Sequence, residues 1–204
     1  MFFLYRFYDT MFCMKKFFLF LLILIIPNIT LARDYLLPDR NPFMGTYQEQ
    51  IAFGFGQGFD TGILLPPPVK PVPFYIGTVQ YSQPTSFFRI PARRSINVSM
   101  TLGLGEKRGW KWQDFTIPLA YLTEDIALFR YKRFYAGTGA GVGLQAEENA
   151  RIGSKLVFQF KVMFGYNLNK KWALELFIQH FSNANTAEEN NSYAFYGLGA
   201  TYNF

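Results

Sequence analysis

Apolar residues alternate with small or polar residues along much of this chain, and the alternation limits what the chain can fold into. The even positions from 172 to 182 are Trp172, Leu174, Leu176, Ile178, His180 and Ser182. The end of the chain repeats the pattern, with Ala, Tyr, Leu and Phe at even positions from Ala194 to Phe204. Successive side chains of a β-strand point to opposite faces of the sheet. The sequence therefore predicts strands with one continuously apolar face.

The opposite face distinguishes a membrane barrel from a soluble sandwich. At residues 95–103 and 137–143 it consists of Ser, Asn, Thr and Gly, whereas a soluble sandwich usually carries charge there. Small and polar side chains suit the narrow, packed lumen of a transmembrane barrel. Aromatic residues form 20% of the chain, and Tyr and Trp cluster at strand ends as in interfacial girdles. We predict an all-β fold, an eight-stranded antiparallel transmembrane β-barrel of the outer membrane.

Local signals refine this prediction. Proline cannot donate to a strand ladder, so residues 65–73 predict a rigid connector between the first two strands. Residues 90–94, Ile-Pro-Ala-Arg-Arg, predict a break or bulge. Strand boundaries between residues 60 and 133 stay open. Further candidate strands lie at residues 50–59, 74–82 and 115–122.

The first 32 residues predict a secretory signal peptide. Lys15 and Lys16 precede an unbroken apolar run at residues 17–26, and Thr30-Leu31-Ala32 has small residues at the cleavage positions. The run is shorter than the about 20 residues of a membrane helix, which disfavours a retained anchor. Residues 1–13 are interpreted as an upstream extension from a misassigned start codon. A single barrel domain would then occupy residues 33–204.

Composition excludes several classes of function. Cys13 is the only cysteine and lies in the predicted leader, so no thiolate or cysteine metal site is expected. The formal net charge of +6 suits an anionic membrane surface. Nucleic acid is not expected as a partner, because the chain is exported and has no basic stripe. The glycines at 137–143 lack the helix of a dinucleotide fingerprint, and neither a cofactor nor a metal is expected.

His180, the only histidine, shares its predicted strand face with Ser182. Two residues span about 6.6 Å along a strand, so the imidazole can reach the hydroxyl. It can then accept the serine proton and return it to a leaving group, oriented by a third group such as a carboxylate. Histidines at strand ends are also common interfacial side chains. Spacing alone therefore leaves open a non-catalytic barrel with a structural or ligand-binding role.

The third group would come from the segment that follows. If the last strand extends upstream, Glu188 points outward on the same face as Ala194, and Glu189 points inward. A loop at this position can break the alternation, so Glu189 stays a candidate. Asn183 could donate its side-chain amide or its backbone N–H to an oxyanion.

A family resemblance is carried by these residues. His180-Phe181-Ser182-Asn183-Ala184 resembles the signature of the lipid A 3-O-deacylase (PagL) family of outer-membrane acyloxyacyl hydrolases. The glycine-rich residues 135–142 and residues 151–160, which include Phe158-Gln159-Phe160, resemble two strands of the same family. The resemblance covers roughly residues 134–204.

The resemblance implies an active site that opens toward lipid near the outer surface. Ser182 would be the nucleophile, His180 the base, and Phe160 a wall of the site, with Phe158 beside it. Asn185 stands where the family usually has glycine. The family glutamate aligns near residues 190–192, so Glu188, Glu189 or an amide such as that of Asn190 would orient the imidazole.

The expected function is hydrolysis of a 3-O-linked hydroxyacyl chain of lipid A, with lipopolysaccharide and outer-membrane lipids as partners. Lys170 and Lys171 are expected to attract phosphorylated lipid headgroups. An acyltransferase would share the nucleophile, whereas no acidic cluster supports a calcium-dependent phospholipase. A homodimer is left open.

Overall fold

The computed structural model describes residues 41–59, 71–108, 111–149, 151–188 and 192–204. The predicted signal peptide and most of the proline-rich connector lie outside the described residues. Within these five ranges, no helix is long and apolar enough to cross a membrane.

Eight antiparallel strands form a closed barrel, as the alternation predicts. Each strand pairs with the next along the chain, and the last pairs with the first. The strands are β1 (Gln50–Phe59), β2 (Pro71–Phe87), β3 (Ile90–Arg108), β4 (Lys111–Tyr131), β5 (Phe134–Gln145), β6 (Leu156–Asn167), β7 (Trp172–Ser182) and β8 (Tyr193–Asn203).

Strand pairing is staggered around the barrel. From Gln50, successive cross-strand partners lead through β2 to β7 and arrive on β8 at Tyr193. The direct pairing of β1 with β8 instead joins Gln50 to Asn203. Such a stagger requires strands that are tilted against the barrel axis, as closure of a sheet demands.

The two ends of the barrel differ in their connections. One end, here called the short-turn end, carries the β2–β3, β4–β5 and β6–β7 turns and the start of β1. The other, here called the long-loop end, carries the β5–β6 and β7–β8 connections at residues 146–155 and 183–192. In outer-membrane barrels, short turns face the periplasm and longer loops face outward.

The predicted break at residues 90–94 is wrong. β3 runs without interruption from Ile90, and Pro91 lies opposite Ser86 beside the β2–β3 turn. Proline is tolerated at the beginning of a strand. The turn consists of Phe88 and Arg89, both at positive φ, 48° and 69°. Two consecutive residues with positive φ match the twist of a tight hairpin, although bulky residues rarely adopt it.

The lumen is not filled only by small and polar side chains. Toward the long-loop end it contains a buried apolar cluster in which Phe195 packs edge-on against Phe74, with ring centroids 4.9 Å apart. Ile152 of the β5–β6 connection belongs to this cluster and is fully buried. The mouth at this end is therefore filled by protein. The members of the cluster are Phe74, Ile76, Ile117, Leu119, Tyr121, Ile152, Val157, Phe181, Tyr193 and Phe195.

Toward the short-turn end the lumen holds a buried ionic network that sequence analysis did not predict. Arg93 is fully buried and pairs with Asp125 at 2.9 Å and with Glu175 at 2.7 Å. Lys161 pairs with the same Asp125 oxygen at 2.9 Å. The two cations and two carboxylates balance, which is how charge is tolerated away from water.

Residues 41–45 cover the lumen at the short-turn end. The Phe43 ring lies 4.5 Å from the Arg93 guanidinium carbon and 5.4 Å from the Tyr135 ring. Asn41 donates from Nδ2 to the Ala92 carbonyl at 2.7 Å. Phe43 and Met44 are fully buried. The barrel therefore offers no open channel through this segment.

Candidate active site

β7 presents two different faces. Leu176 and Ile178 are more than half exposed, whereas Glu175, Gln179 and Phe181 are buried in the lumen. His180 and Ser182 lie at even positions of the strand, as the exposed Leu176 and Ile178 do, and both are half-buried. The structure thus places both on the outer wall, as the alternation predicts.

The position along the strand puts the pair near one membrane boundary. Ser182 is the last residue of β7 and adjoins the β7–β8 connection at the long-loop end. Trp172 begins the strand at the short-turn end, where its ring packs 4.8 Å from that of Tyr202. Trp and Tyr at such positions mark the interfacial girdle. His180 and Ser182 therefore lie close to the opposite interface.

The neighbouring strand supplies an aromatic wall. On β6, Phe160 lies directly opposite His180, and Phe158 directly opposite Ser182. Both phenylalanines are half-buried on the outer surface. Directly opposite side chains on one sheet face lie about 4.5–5.5 Å apart at Cβ. An acyl chain that reached Ser182 from the membrane would thus run along these two rings.

The residue on the other side of the imidazole is small. On β8, Ala194 lies opposite His180, so a single methyl group flanks the ring there. The adjoining β7–β8 connection begins at Asn183. A side chain from that connection could approach the ring nitrogen that does not face Ser182.

The catalytic hydrogen bonds are not formed in this structure. Within the described part of the chain, His180 donates no hydrogen bond to Ser182 or to a carboxylate. The two side chains share one face and are two residues apart, so side-chain rotation can bring them together. Hydrogen bonds of this kind are often long or misaligned until substrate binds.

Asn183 shapes the turn that follows the serine. It is fully buried, and its Oδ1 accepts a hydrogen bond from the Asn185 backbone N–H at 2.9 Å. Ala184 and Asn185 have positive φ, 53° and 64°, so the chain bends sharply after Ser182. The backbone N–H of Asn183 directly follows the serine in the chain. Both predicted oxyanion donors of Asn183, the side-chain amide and the backbone N–H, stay predictions.

Of the three proposed orienting groups, only Glu188 lies among the described residues. Glu188 is exposed and forms no hydrogen bond or ion pair with the described residues. Glu189 and Asn190 lie outside the described residues. The identity of the third group stays a prediction.

Lys170 and Lys171 occupy the wrong end for their expected role. They form the β6–β7 turn, whereas Ser182 ends β7, and the 11 residues between correspond to roughly 35 Å along the strand. Headgroup contacts beside the ester would have to come from the long-loop end. This lysine pair therefore lies too far from Ser182 to bind the headgroup of a lipid A molecule whose ester is held at the serine.

A residue that no sequence pattern singled out supports the loops beside the site. Arg151 in the β5–β6 connection donates from Nη1 to the Ser192 carbonyl at 3.0 Å. Its guanidinium carbon lies 5.0 Å from the Phe74 ring centroid. Arg151 thereby links the two long connections immediately before β8. Its contacts join distant segments, so no local pattern could have indicated them.

Comparison with known proteins gives a family and a fold. A family model described as lipid A 3-O-deacylase (PagL) matches residues 79–203. No curated protein sequence gives a significant match.

Two solved structures, one of them described as a β-barrel domain, have a similar fold. Neisserial surface protein A (NspA) has a TM-score of 0.55 at 8% identity, covering 76% of this chain and 96% of its own. The N-terminal barrel domain of Pseudomonas aeruginosa OprF has a TM-score of 0.50 at 11% identity, covering 78% and 98%. The outer membrane enzyme PagL has a TM-score of 0.49 at 13% identity, covering 74% and 97%. At these identities the likeness concerns the fold alone.

Proposed function

This chain belongs to the lipid A 3-O-deacylase (PagL) family, and on that premise we propose that it is a serine esterase that removes a 3-O-linked hydroxyacyl chain from lipid A. Family membership places the barrel in the outer membrane of a Gram-negative bacterium. The long-loop end then faces outward, because outer-membrane barrels keep their short turns in the periplasm.

One observation carries the proposal. His180 and Ser182 lie together on the lipid-facing wall at the outward end, next to Phe158 and Phe160. A serine and a histidine on this surface are exposed to acyl chains and headgroups rather than to the lumen. A polar pair in such apolar surroundings is unfavourable unless it has partners.

The first half of the reaction would form an acyl-enzyme. Ser182 Oγ attacks the ester carbonyl carbon while His180 accepts the hydroxyl proton. The backbone N–H of Asn183 can stabilise the oxyanion that develops. The bond from the carbonyl carbon to the sugar 3-oxygen then breaks, and His180 delivers the proton to that oxygen.

The second half would regenerate the serine. A water molecule gives a proton to His180 and attacks the acyl carbonyl, and the Ser182 oxygen leaves and takes back the proton. The products are a free hydroxy fatty acid and a lipid A with a free 3-hydroxyl group. An acyltransferase would differ only here, by using another hydroxyl group in place of water.

The test is mass spectrometry of lipid A from cells that express the wild type, Ser182→Ala or His180→Ala. With the wild type we expect the loss of one hydroxyacyl chain and the appearance of the free fatty acid. Both variants should leave lipid A intact, because each removes a group that takes part in bond breaking. Transfer of the chain to another lipid would indicate an acyltransferase instead.

A matched control is Ser154→Ala, which removes a hydroxyl from the β5–β6 connection. It should deacylate lipid A like the wild type. Folded protein must be present in the outer membrane in all four strains. Unchanged lipid A in every strain, in a host whose lipid A carries a 3-O-linked chain, would favour the non-catalytic barrel.

A further inference from the structure

Exposed charge is distributed unequally between the two ends of the barrel. The short-turn end carries exposed or half-exposed bases on each of its three turns. Two carboxylates are described on the outer wall near this end: Glu49, which accepts a hydrogen bond from Tyr81, and Glu124, which pairs with Arg94 at 2.9 Å. In the β5–β6 and β7–β8 connections of the long-loop end, the carboxylates Glu147, Glu148 and Glu188 lie beside the bases Arg151 and Lys155. The bases of the short-turn end are Arg89, Arg130, Lys132, Arg133, Lys170 and Lys171.

Five of these bases form one patch because two turns touch. The Asn167 N–H donates to the Arg133 carbonyl at 2.9 Å, and Arg133 Nη1 donates to the Leu168 carbonyl at 3.2 Å. These bonds join the β4–β5 turn to the β6–β7 turn. The basic patch is defined as Arg130, Lys132, Arg133, Lys170 and Lys171.

Four of the five members of the basic patch are not paired with an acid of the described residues. The carboxylates of the short-turn lumen, Asp125 and Glu175, are committed to Arg93 and Lys161 inside the barrel. In the part of the chain that the structure describes, four patch members form no ion pair: Lys132, Arg133, Lys170 and Lys171. Their charge is therefore available to a ligand.

Aromatic contacts fix the depth of the patch in the membrane. The Lys132 ammonium lies 5.3 Å from the Tyr131 ring centroid. The Lys171 ammonium lies 5.7 Å from the Tyr202 ring centroid and 3.5 Å from its hydroxyl. Tyr131 is 58% exposed on the outer wall. Tyrosines of an aromatic girdle lie at headgroup level, so both ammonium groups are at the depth of lipid phosphates.

We propose that the basic patch binds the phosphate groups of anionic phospholipids in the periplasmic leaflet. Clustered Lys and Arg beside a membrane attract anionic lipids, and Arg can hold a phosphate with two parallel hydrogen bonds. A zwitterionic lipid brings its own cation, which would be repelled by the patch. The site lies at the opposite end from Ser182, and it does not depend on the proposed esterase activity.

Lipid retention by the purified full-length chain tests the proposal. Folded Ser182→Ala protein, in which catalysis is removed, is mixed in detergent with equal amounts of phosphatidylglycerol and phosphatidylcholine. Native mass spectrometry then counts the lipids that stay bound. We expect phosphatidylglycerol to be retained preferentially, and the preference to weaken as salt rises.

Charge-neutralising variants locate the site. Each of Lys170→Gln and Lys171→Gln should lower phosphatidylglycerol retention by about fivefold, the factor expected for one cation near an anionic surface. The control Lys155→Gln makes the same change at the long-loop end and should retain as much phosphatidylglycerol as its parent. Circular dichroism establishes that each variant keeps its strand content.

Three outcomes would overturn the proposal. One is equal retention of the two phospholipids by the parent protein. Another is a Lys170→Gln/Lys171→Gln protein that keeps its preference, or a loss that Lys155→Gln reproduces. The third is displacement of phosphatidylglycerol by inorganic phosphate at constant ionic strength, which would identify a site for soluble anions.

Discussion

The guanidinium of Arg93 holds both carboxylate oxygens of Glu175 across the lumen, at 2.7 and 2.8 Å. The pair joins β3 to β7, and Tyr135 donates a further hydrogen bond to Glu175 at 2.6 Å. Both charged residues are withdrawn from water. The short-turn half of the lumen therefore contains a buried ion-pair network in addition to apolar contacts, whereas the long-loop half contains an aromatic cluster.

Removing the charge of Glu175 should destabilise the barrel strongly. Glu175→Gln leaves a surplus positive charge buried among Arg93, Lys161 and Asp125. Removing one partner of a buried ion pair lowers the free energy of unfolding by about 3–5 kcal/mol. The free energy of unfolding, measured by urea titration in detergent micelles, should fall by that amount. Glu148→Gln makes the same change at an exposed position and should alter it by less than about 0.5 kcal/mol. Equal stability of the two variants would contradict the role of the network.

Gly139 makes room for Asp125. A Cβ on Gly139 would overlap the Asp125 carboxylate, so Gly139→Ala must displace a group that pairs with Arg93 and Lys161. Overpacking of this kind costs about 1–3 kcal/mol. Gly77→Ala is the control, because its Cβ would meet nothing within 4 Å. The thermal midpoint should fall for Gly139→Ala and stay level or rise for Gly77→Ala. A larger loss for Gly77→Ala would refute the explanation.

The aromatic wall should matter for substrate rather than for folding. Phe160 lies opposite His180, so Phe160→Ala should remove contact area for the acyl chain. Burial of a phenylalanine ring contributes about 1.5–3 kcal/mol, which corresponds to a loss of about 10- to 100-fold in kcat/KM. Leu176→Ala alters the same wall farther from Ser182 and should change kcat/KM by less than about threefold. Rates are measured with purified lipid A in detergent. Equal losses of activity in the two variants would contradict an acyl-chain site beside His180.

Glu188 is the residue we expect to orient the imidazole. If it swings onto His180 when substrate binds, Glu188→Gln should lower kcat by about 100-fold or more while KM changes little. Glu189→Gln is the matched control and should retain kcat. Single-turnover kinetics with lipid A separate the chemical step from binding. A larger effect of Glu189→Gln, or an effect confined to Asn190→Ala, would transfer the role to that residue.

Strand alternation was sufficient to predict the barrel but not the details of its edges. Residues 50–59 were predicted as a strand and form β1. The break predicted at residues 90–94 is absent, because Pro91 lies next to a turn, where a missing N–H removes little from the ladder. Local proline content does not reveal how far a position is from the neighbouring hairpin.

The lumen shows a second limit of local reasoning. Arg93 and Asp125 are direct partners on the adjacent strands β3 and β4, whereas Glu175 comes from the distant strand β7. Their pairing follows from the register of the closed sheet. Similarly, Phe195 and Phe181 have lumen parity, yet only the packed barrel shows that they form an apolar cluster.

For the candidate site, the two-residue repeat of the strand alone determined that His180 and Ser182 share an outward face. Every second side chain of a β-strand points to the same face of the sheet. The short motif around them indicated the family. Only the tertiary structure decided that Phe160 lies directly opposite His180, that Phe158 lies opposite Ser182, and that Asn183 is fully buried. Those outcomes depend on strand register and connection geometry, which arise from contacts between distant segments rather than from any single stretch of residues.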